Sequence, residues 1–414
     1  MSTLQRFIDE EDISGMVADL KAWPNTASGN DDFELAVSPF LTFYFTYDPK
    51  HYLETSLAMI DVHEASERLL GHPYTIATHP DSTRPHPYGS KRLGNLRAWA
   101  KKKPLDKHFT FNFTDEKNHN SSPTHAGYFW RTSKWGDSKS SYSSIQLYYR
   151  WQWWLDNKDA WRRFVLETIE RLKPEQVYSG FAMANPLAFG CRSEVAVWDR
   201  ALTPHFYGLD TDYPFSMSFP THLGAGIRPP TWGFFLSDIW RSKLSLDREQ
   251  VRAALDHPAI AITDCGNGQW IELGPQPELY PVENGVPELP VLLNRLLKPI
   301  RHRKLDLIGN GEWDGDPNVR FNWQSTQRWL ARFDDNGDWP DTETRQQKPQ
   351  PQSDVAPPPT YAGQPCPRAG YWFTLAQHGS RRSFEQGEVF PGIPNEASKG
   401  LILWQWADDQ GNRQ

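Results

Sequence analysis

The stretch from Ser144 to Asn185 constrains the fold most, because it predicts a strand, a helix and a second strand in direct succession. From Ile145 to Trp153 every second residue is apolar, which is the period of one face of a β-sheet. Asp156 or Asn157 can cap the helix that follows, in which apolar residues recur at helical spacing. Residues 177–183 then predict the returning strand.

Most apolar side chains in this stretch are large and aromatic. Trp151 and Trp153 are predicted on one face of the first strand, beside Ile145, Leu147 and Tyr149. Aromatic residues in such a pattern indicate a hydrophobic core more often than a platform that stacks sugars or bases. The sequence therefore predicts an aromatic core, which the 19 Trp, 15 Tyr and 22 Phe of the chain can fill.

Two further stretches repeat the strand and helix order. Ser38–Tyr47 predicts a strand and His51–Leu70 a helix that ends at Gly71, whereas His79–Pro87 is predicted to be irregular. Residues 231–299 predict a strand, a short helix at 247–256, a hairpin at 259–273 and an amphipathic helix at 287–299. This order predicts an α+β fold, with a mixed, mainly antiparallel sheet covered by helices.

The C-terminal part of the chain differs in composition. Residues 342–364 include five prolines and almost no aliphatic side chains, which predicts an extended linker. Short aromatic runs between turn residues predict a small all-β module at 365–414. The predicted domains are thus an α+β domain at 1–341, long enough for two α/β subdomains at about 1–190 and 191–341, then the linker and the module.

Charge and composition favour an intracellular protein that does not bind nucleic acid directly. The net charge is −7, and residues 1–35 and 306–341 each contain eight carboxylates against two and three basic side chains. Such acidic runs suit a basic partner rather than phosphate, although a solvated surface is the simpler explanation of each. The chain lacks a membrane-length apolar stretch, a secretory signal pattern and a disulfide framework, so we predict a cytoplasmic location.

Motifs for catalysis and metal binding are incomplete. Asp314, Asp316 and Asn318 match the start of a calcium loop, but Val319 and Ser325 stand where that loop needs Gly and Glu. The HEASE sequence at 63–67 has Glu in place of the second zinc-binding His, and a metal shared by His119 and His125 would need an acidic neighbour. We therefore predict no enzyme activity, cofactor or metal. Paired carboxylates of a glycosidase meet only in space, so a carbohydrate-active or glycan-binding protein remains the alternative.

Residues 231–301 carry a family resemblance. They begin with W-x-x-x-L at Trp232, continue with G-x-W-I-E-L-G-P-x-P at 268–277 and end with L-L-x-P-I-R at 296–301. This stretch, together with FYGLDTDYPF at 206–215 and the aromatic strand and helix, resembles the type VI secretion immunity proteins to which TsiV and TsiT are assigned. The resemblance covers roughly residues 35–303. The sequence from Cys366, with its final WQW, is similar to a small module of bacterial toxin and immunity proteins.

The resemblance implies a binding protein that neutralises one secreted antibacterial effector, encoded by the adjacent gene. Effectors associated with this family include nucleases of the restriction-endonuclease type, which would act in the cytoplasm. Because a nuclease presents a basic surface to phosphate, we predict that acidic side chains contact it. The predicted partner-binding residues are Glu312, Asp314, Asp316, Asp334, Asp335 and Asp338. An adaptor of the secretion machinery is a further alternative.

Overall fold

The computed structural model describes residues 7–8, 11–30, 33–46, 48–80, 82–133, 142–188, 192–212, 214, 223–303, 305, 320–340, 359–374, 380–392 and 402–407. The chain divides into two compact units, Met1–Asp341 and Thr342–Gln414. Each unit contains its own sheet and its own hydrophobic core.

A large sheet forms the centre of the first unit. Its twelve described strands are β1 (Ala27–Asn30), β2 (Phe33–Thr46), β3 (Ile76–His79), β4 (Ser82–Pro87), β5 (Phe109–Thr114), β6 (Ala126–Arg131), β7 (Tyr142–Tyr148), β8 (Gln176–Met183), β9 (Leu209–Asp210), β10 (Gly233–Ser237), β11 (Ile260–Cys265) and β12 (Gly268–Leu273). In space their order is β11-β12-β10-β8-β2-β7-β6-β5-β3-β4, with β1 beside β2 and β9 beside β8. All described pairings of these strands are antiparallel except that of β8 with β9. The predicted fold class is confirmed.

Helices cover this sheet. They are α1 (Ile13–Ala22), α2 (Tyr52–Leu70), α3 (Leu96–Lys102), α4 (Trp151–Leu172), α5 (Arg192–Leu202), α6 (Asp238–Lys243), α7 (Arg248–Ala254), α8 (Glu288–Leu297) and α9 (Trp323–Leu330). In none of the helices described is there an apolar stretch long enough to cross a bilayer.

The centre of the sheet is buried on both faces. Strand β2 pairs with β7 through Phe43 and Ile145, and with β8 through Phe43 and Val177. Every residue of β7 and β8 is buried, including polar ones such as Gln146 and Ser179. Successive side chains of a strand point to opposite faces of the sheet. An unbroken run of buried residues therefore means that both faces of these strands are part of the packed interior.

The strand predicted at 145–153 is wrong in its second half. Strand β7 ends at Tyr148, and Trp151 and Trp153 belong to α4. The buried tryptophans are Trp151, Trp154 and Trp161, which follow the helical period rather than the period of two. Asn157, a predicted cap, instead lies at a kink within α4, where its φ of −124° departs from helical geometry.

Several local predictions are confirmed, and one more is wrong. Helix α2 ends at Leu70, and Gly71 adopts the left-handed φ of +74° expected of a glycine C-cap. Strands β11 and β12 form the predicted hairpin. Residues 79–87, however, are not irregular, because Ser82–Pro87 forms the edge strand β4. Prolines are tolerated there, since an edge strand leaves one row of N–H groups unpaired.

The second unit contains a four-stranded antiparallel sheet, as predicted for the C-terminal module. Its strands are β13 (Thr360–Tyr361), β14 (Gly370–Phe373), β15 (Arg382–Phe384) and β16 (Leu403–Trp406), in the order β13-β16-β14-β15. The core contains Cys366, Trp372, Phe384, Phe390, Trp404 and Trp406. Strand β13 lies within the stretch 342–364 that the composition predicts as a linker.

Candidate partner-binding groove and a buried ion cluster

A surface groove of about 430 Å³ lies between α8 and the turn after α9, and we call it the α8 groove. Helix α8 buries Pro290, Leu293, Asn294 and Leu297 against the core. Two of its other apolar side chains, Val291 and Leu292, line the groove. The full lining is Val286, Glu288, Val291, Leu292, Arg295, Asp334 and Asp335. The groove therefore combines an apolar floor with a rim of three carboxylates and one guanidinium.

Asp334, a predicted partner-binding residue, is held within the protein. Its carboxylate accepts two hydrogen bonds from Arg301, at 2.6 and 2.9 Å, and one from Asn294 at 2.8 Å. Lys298 Nζ lies 3.0 Å from Oδ2. Partial burial acts to raise the pKa of Asp334, but the bonds from Arg301, Asn294 and Lys298 outweigh it and lower the pKa to about 2. Asp334 thus fixes the turn against α8.

Asp335 and Asp338 are more accessible. The Asp335 side chain is 64% exposed, and Arg295 donates to its Oδ1 from Nε at 3.0 Å and from Nη2 at 2.7 Å. Oδ2 of Asp335 takes part in neither bond. Asp338 is similarly exposed and lies 3.2 Å from Arg328, outside the groove lining. Exposed pairs of this kind are weak and exchange readily with other charges.

The other predicted contacts, Glu312, Asp314 and Asp316, lie outside the described residues. The structure therefore brings Asp334 and Asp335 together at one groove and leaves Asp338 beside it. Sequence reasoning missed Glu288, Val286 and Arg295. One signal was available: α8 has apolar side chains beyond the buried Pro290, Leu293 and Leu297, and two of these additional side chains, Val291 and Leu292, line the groove.

A second polar arrangement is buried at the centre of the first unit. Arg228 is 1% exposed, and its two terminal nitrogens contact Asp210 at 2.8 Å and Asp212 at 2.7 Å. It also donates to the Thr211 carbonyl at 2.7 Å. Both aspartates belong to the FYGLDTDYPF stretch at 206–215. We call these three charged side chains the buried ion cluster.

Side chains of the central strands complete the buried ion cluster. Tyr44 Oη donates to Asp212 Oδ1 at 2.6 Å, and Gln146 donates to the Asp212 carbonyl at 2.8 Å. The Arg228 N–H donates to Tyr178 Oη at 2.9 Å. Burial raises the pKa of Asp212, even though Arg228 acts in the opposite direction. The arrangement ties residues 210–212 and Arg228 to the sheet. Buried Arg332, whose Nη2 lies 4.0 Å from Asp210 Oδ1, brings a second positive charge beside the two aspartates.

The two candidate histidine sites also have structural roles. His63 is buried and stacks on Phe113 with ring centroids 3.8 Å apart, and burial lowers its pKa to about 4. Asp115 accepts hydrogen bonds from the backbone N–H groups of Thr124 and His125 at 3.0 and 2.9 Å, which fixes the loop there. Across the described part of the chain, no three His, Cys, Asp or Glu side chains are placed to share a metal ion.

The motif residues of the 231–301 region build the sheet rather than a site. Trp232 is buried and donates from Nε1 to the Gly274 carbonyl at 3.1 Å. Gly268 lies so close to β10 that an added Cβ would stand 2.4 Å from the Leu236 carbonyl oxygen. Buried Glu272 pairs with Arg162 at 3.0 Å and links β12 to α4. These contacts give the motif residues structural roles in the sheet and in its packing against α4.

Comparison with known proteins agrees with this fold. The chain resembles the solved structure of the Pseudomonas aeruginosa T6SS protein PA0821, with a TM-score of 0.65 and 20% sequence identity over 77% of this chain and 90% of that one. A search of curated proteins gives no match. The family model of TsiV, described as type VI immunity for VRR-NUC, matches residues 78–333, which is more than half of the chain. The protein therefore belongs to the TsiV family of type VI immunity proteins.

Proposed function

We propose that this protein binds and neutralises a cognate type VI effector, a VRR-NUC nuclease that acts in the cytoplasm. Membership of the TsiV family is the observation that carries the proposal, because the family is described as giving immunity to that class of nuclease. Neutralisation by binding requires a surface on this protein that is complementary to the toxin, and it does not require this protein to catalyse a reaction. We also propose that the gene for the toxin lies next to the gene for this chain.

The electrostatics of the chain support a nuclease as the partner. A nuclease must attract phosphate, so its substrate-binding surface is basic, and carboxylates of an inhibitor can occupy that surface. We propose that Glu312, Asp314, Asp316, Asp335 and Asp338 contribute to this attraction. Asp334 contributes indirectly, because it holds the turn that presents Asp335.

The alternative of a glycan-binding or carbohydrate-active protein lacks a supporting observation in the described residues. The aromatic side chains of α4 face the core, where Trp154 and Trp161 are each 1% exposed. Asp210 and Asp212, which share one guanidinium, are buried and do not flank an open cleft. A retaining or inverting glycosidase needs two carboxyl groups that face the sugar from opposite sides.

Co-expression with the adjacent gene tests the proposal. The nuclease alone is expected to kill a laboratory bacterium, and the nuclease together with this protein should allow growth and yield a complex that co-purifies. A catalytically inactive nuclease serves as the control for expression. Continued killing when both proteins are soluble, with no complex recovered, would show that this pairing or the proposed function is wrong.

Charge reversal in the second acidic run should weaken the complex. Changing Asp314 and Asp316 together to Lys is expected to raise Kd about tenfold at low salt, because two attractive charges become repulsive. The slope of Kd against ionic strength should also flatten, since fewer charge pairs are screened. Calorimetric titration at several salt concentrations measures both quantities.

A matched reversal controls for net charge. Glu249 lies on α7 with its side chain 83% exposed, and Glu249→Lys reverses one charge outside the acidic runs. If Glu249→Lys and the reversal of Asp314 and Asp316 change Kd equally per unit of charge, the attraction depends on the net charge of the protein rather than on the acidic run.

A further inference from the structure

We propose that the α8 groove receives a basic, partly apolar segment of the effector, and that Arg295 competes with this segment for Asp335. The proposal rests on the proposed function and names the surface and the chemistry that recognise the partner. Neighbouring side chains should then have opposite effects on the affinity for the effector. The carboxylates and the apolar floor favour binding, whereas Arg295 opposes it.

The floor of the α8 groove is apolar and partly exposed. Val286 is 49% exposed, and Val291 and Leu292 are half-buried around a concave surface rather than on a convex one. Apolar side chains that line a concave surface of this volume are typical of binding sites. A partner that fills the groove would remove these side chains from water and displace weakly held solvent.

The rim charges indicate a cation as the polar part of the occupant. Glu288 is exposed at the start of α8, and no ion pair of its carboxylate is found among the described residues. Within the described part of the chain, Asp335 is engaged only through Oδ1, by an arginine whose side chain is itself 58% exposed. A Lys or Arg side chain from a partner can therefore approach Glu288 directly and replace Arg295 at Asp335.

The rim is also held in place before binding. Arg301 and Asn294 fix Asp334, and Asn294 donates to the Phe333 carbonyl at 3.0 Å. The Gly337 N–H donates to the Asp334 carbonyl at 2.9 Å and closes the turn. Because these bonds order the backbone around Asp335, little conformational entropy remains to be lost at this residue when a partner binds.

Calorimetric titration of the inactive nuclease with single variants of the full chain tests the proposal. Arg295→Gln should lower Kd by about three- to tenfold at low salt, because it removes the internal competitor and leaves the rim more negative. Arg171→Gln is the matched control, since Arg171 is 50% exposed, pairs with Asp61 at 2.8 Å and does not line the groove. It should change Kd by less than about twofold.

The apolar floor is tested by a second matched pair. Val286→Ser should raise Kd about fivefold or more, whereas Ile239→Ser, at a side chain that is 50% exposed on α6, should leave Kd unchanged. Both positions are exposed enough for the variants to be expected to fold, and circular dichroism is the check.

Each outcome decides the proposal. If Arg295→Gln weakens binding, then Arg295 contacts an acidic partner segment and the proposal is overturned. If the wild-type complex forms and neither Arg295→Gln nor Val286→Ser changes Kd, the α8 groove is not the interface, while the proposed function stands. If wild-type protein does not bind the nuclease at all, the proposed function and this proposal fail together.

Discussion

Replacing Arg228 by Met is expected to lower the free energy of unfolding by about 3 to 5 kcal/mol, because two buried carboxylates lose the guanidinium that contacts both of them and Asp210 keeps only the more distant Arg332, at 4.0 Å, among the described residues. Asp210 and Asp212 are each about 2% exposed, and Arg228 contacts both of them. Without the guanidinium, Asp212 must bind a proton in the folded state or remain charged in the core. Urea unfolding followed by circular dichroism measures the loss.

The pH dependence of this loss identifies its cause. In Arg228→Met the folded-state pKa of Asp212, which burial already raises, should rise further above the unfolded value of about 4, so folding takes up a proton. Stability is then retained at low pH and falls as the pH rises through the folded pKa. The difference from wild type should therefore be smaller at pH 5 than at pH 8. Adding Asp210→Asn and Asp212→Asn should recover part of the loss, and a pH-independent loss without recovery would contradict the assignment.

The second large effect is expected at Trp154. Its side chain is 1% exposed and packs against Trp151, Trp161 and Trp232, with ring centroids 5.1 to 5.6 Å apart. Trp154→Ala should therefore cost about 3 to 5 kcal/mol through lost burial and an unfilled cavity. Thermal and urea unfolding of the purified variant provide the measurement.

Trp153 is the matched control for this prediction. It is only half-buried, and its ring stacks on Tyr149 at 5.5 Å. Trp153→Ala should cost about 1 to 2 kcal/mol, since part of its surface is in water in the folded state as well. The strand predicted from sequence would bury Trp153 and expose Trp154, so the reverse order of effects would favour a strand at these positions.

The difference between these two tryptophans shows where sequence reasoning failed. An alternation of apolar residues from Ile145 to Trp153 fits a strand, but Trp151 and Trp154 also fit the first turn of a helix. The main-chain N–H of Trp151 donates to Asn25 Oδ1 at 3.1 Å, and this partner comes from a residue 126 positions earlier. A cap supplied from so far away is invisible to a local pattern.

The candidate groove was predictable in part. The excess of carboxylates near residue 335 is visible in the sequence, and it led to Asp334 and Asp335, which line one groove. Composition could not separate their roles, because Asp334 is held by Arg301 whereas Asp335 faces solvent. Nor could it find Glu288, because α8 and the 334–335 turn lie some 40 residues apart and meet only in the folded chain.

The sequence by itself determined the α+β class, the β11–β12 hairpin, the end of α2 at Gly71, the small C-terminal sheet and the family. Each depends on short-range periodicity, on a residue with special backbone freedom, or on motif residues that fill fixed positions in the sheet. Only the tertiary structure decided where β7 gives way to α4, that Asp210 and Asp212 share the buried Arg228, and that α8 borders a groove. These features depend on contacts between distant residues, and their energies come from burial and charge pairing that no local pattern records.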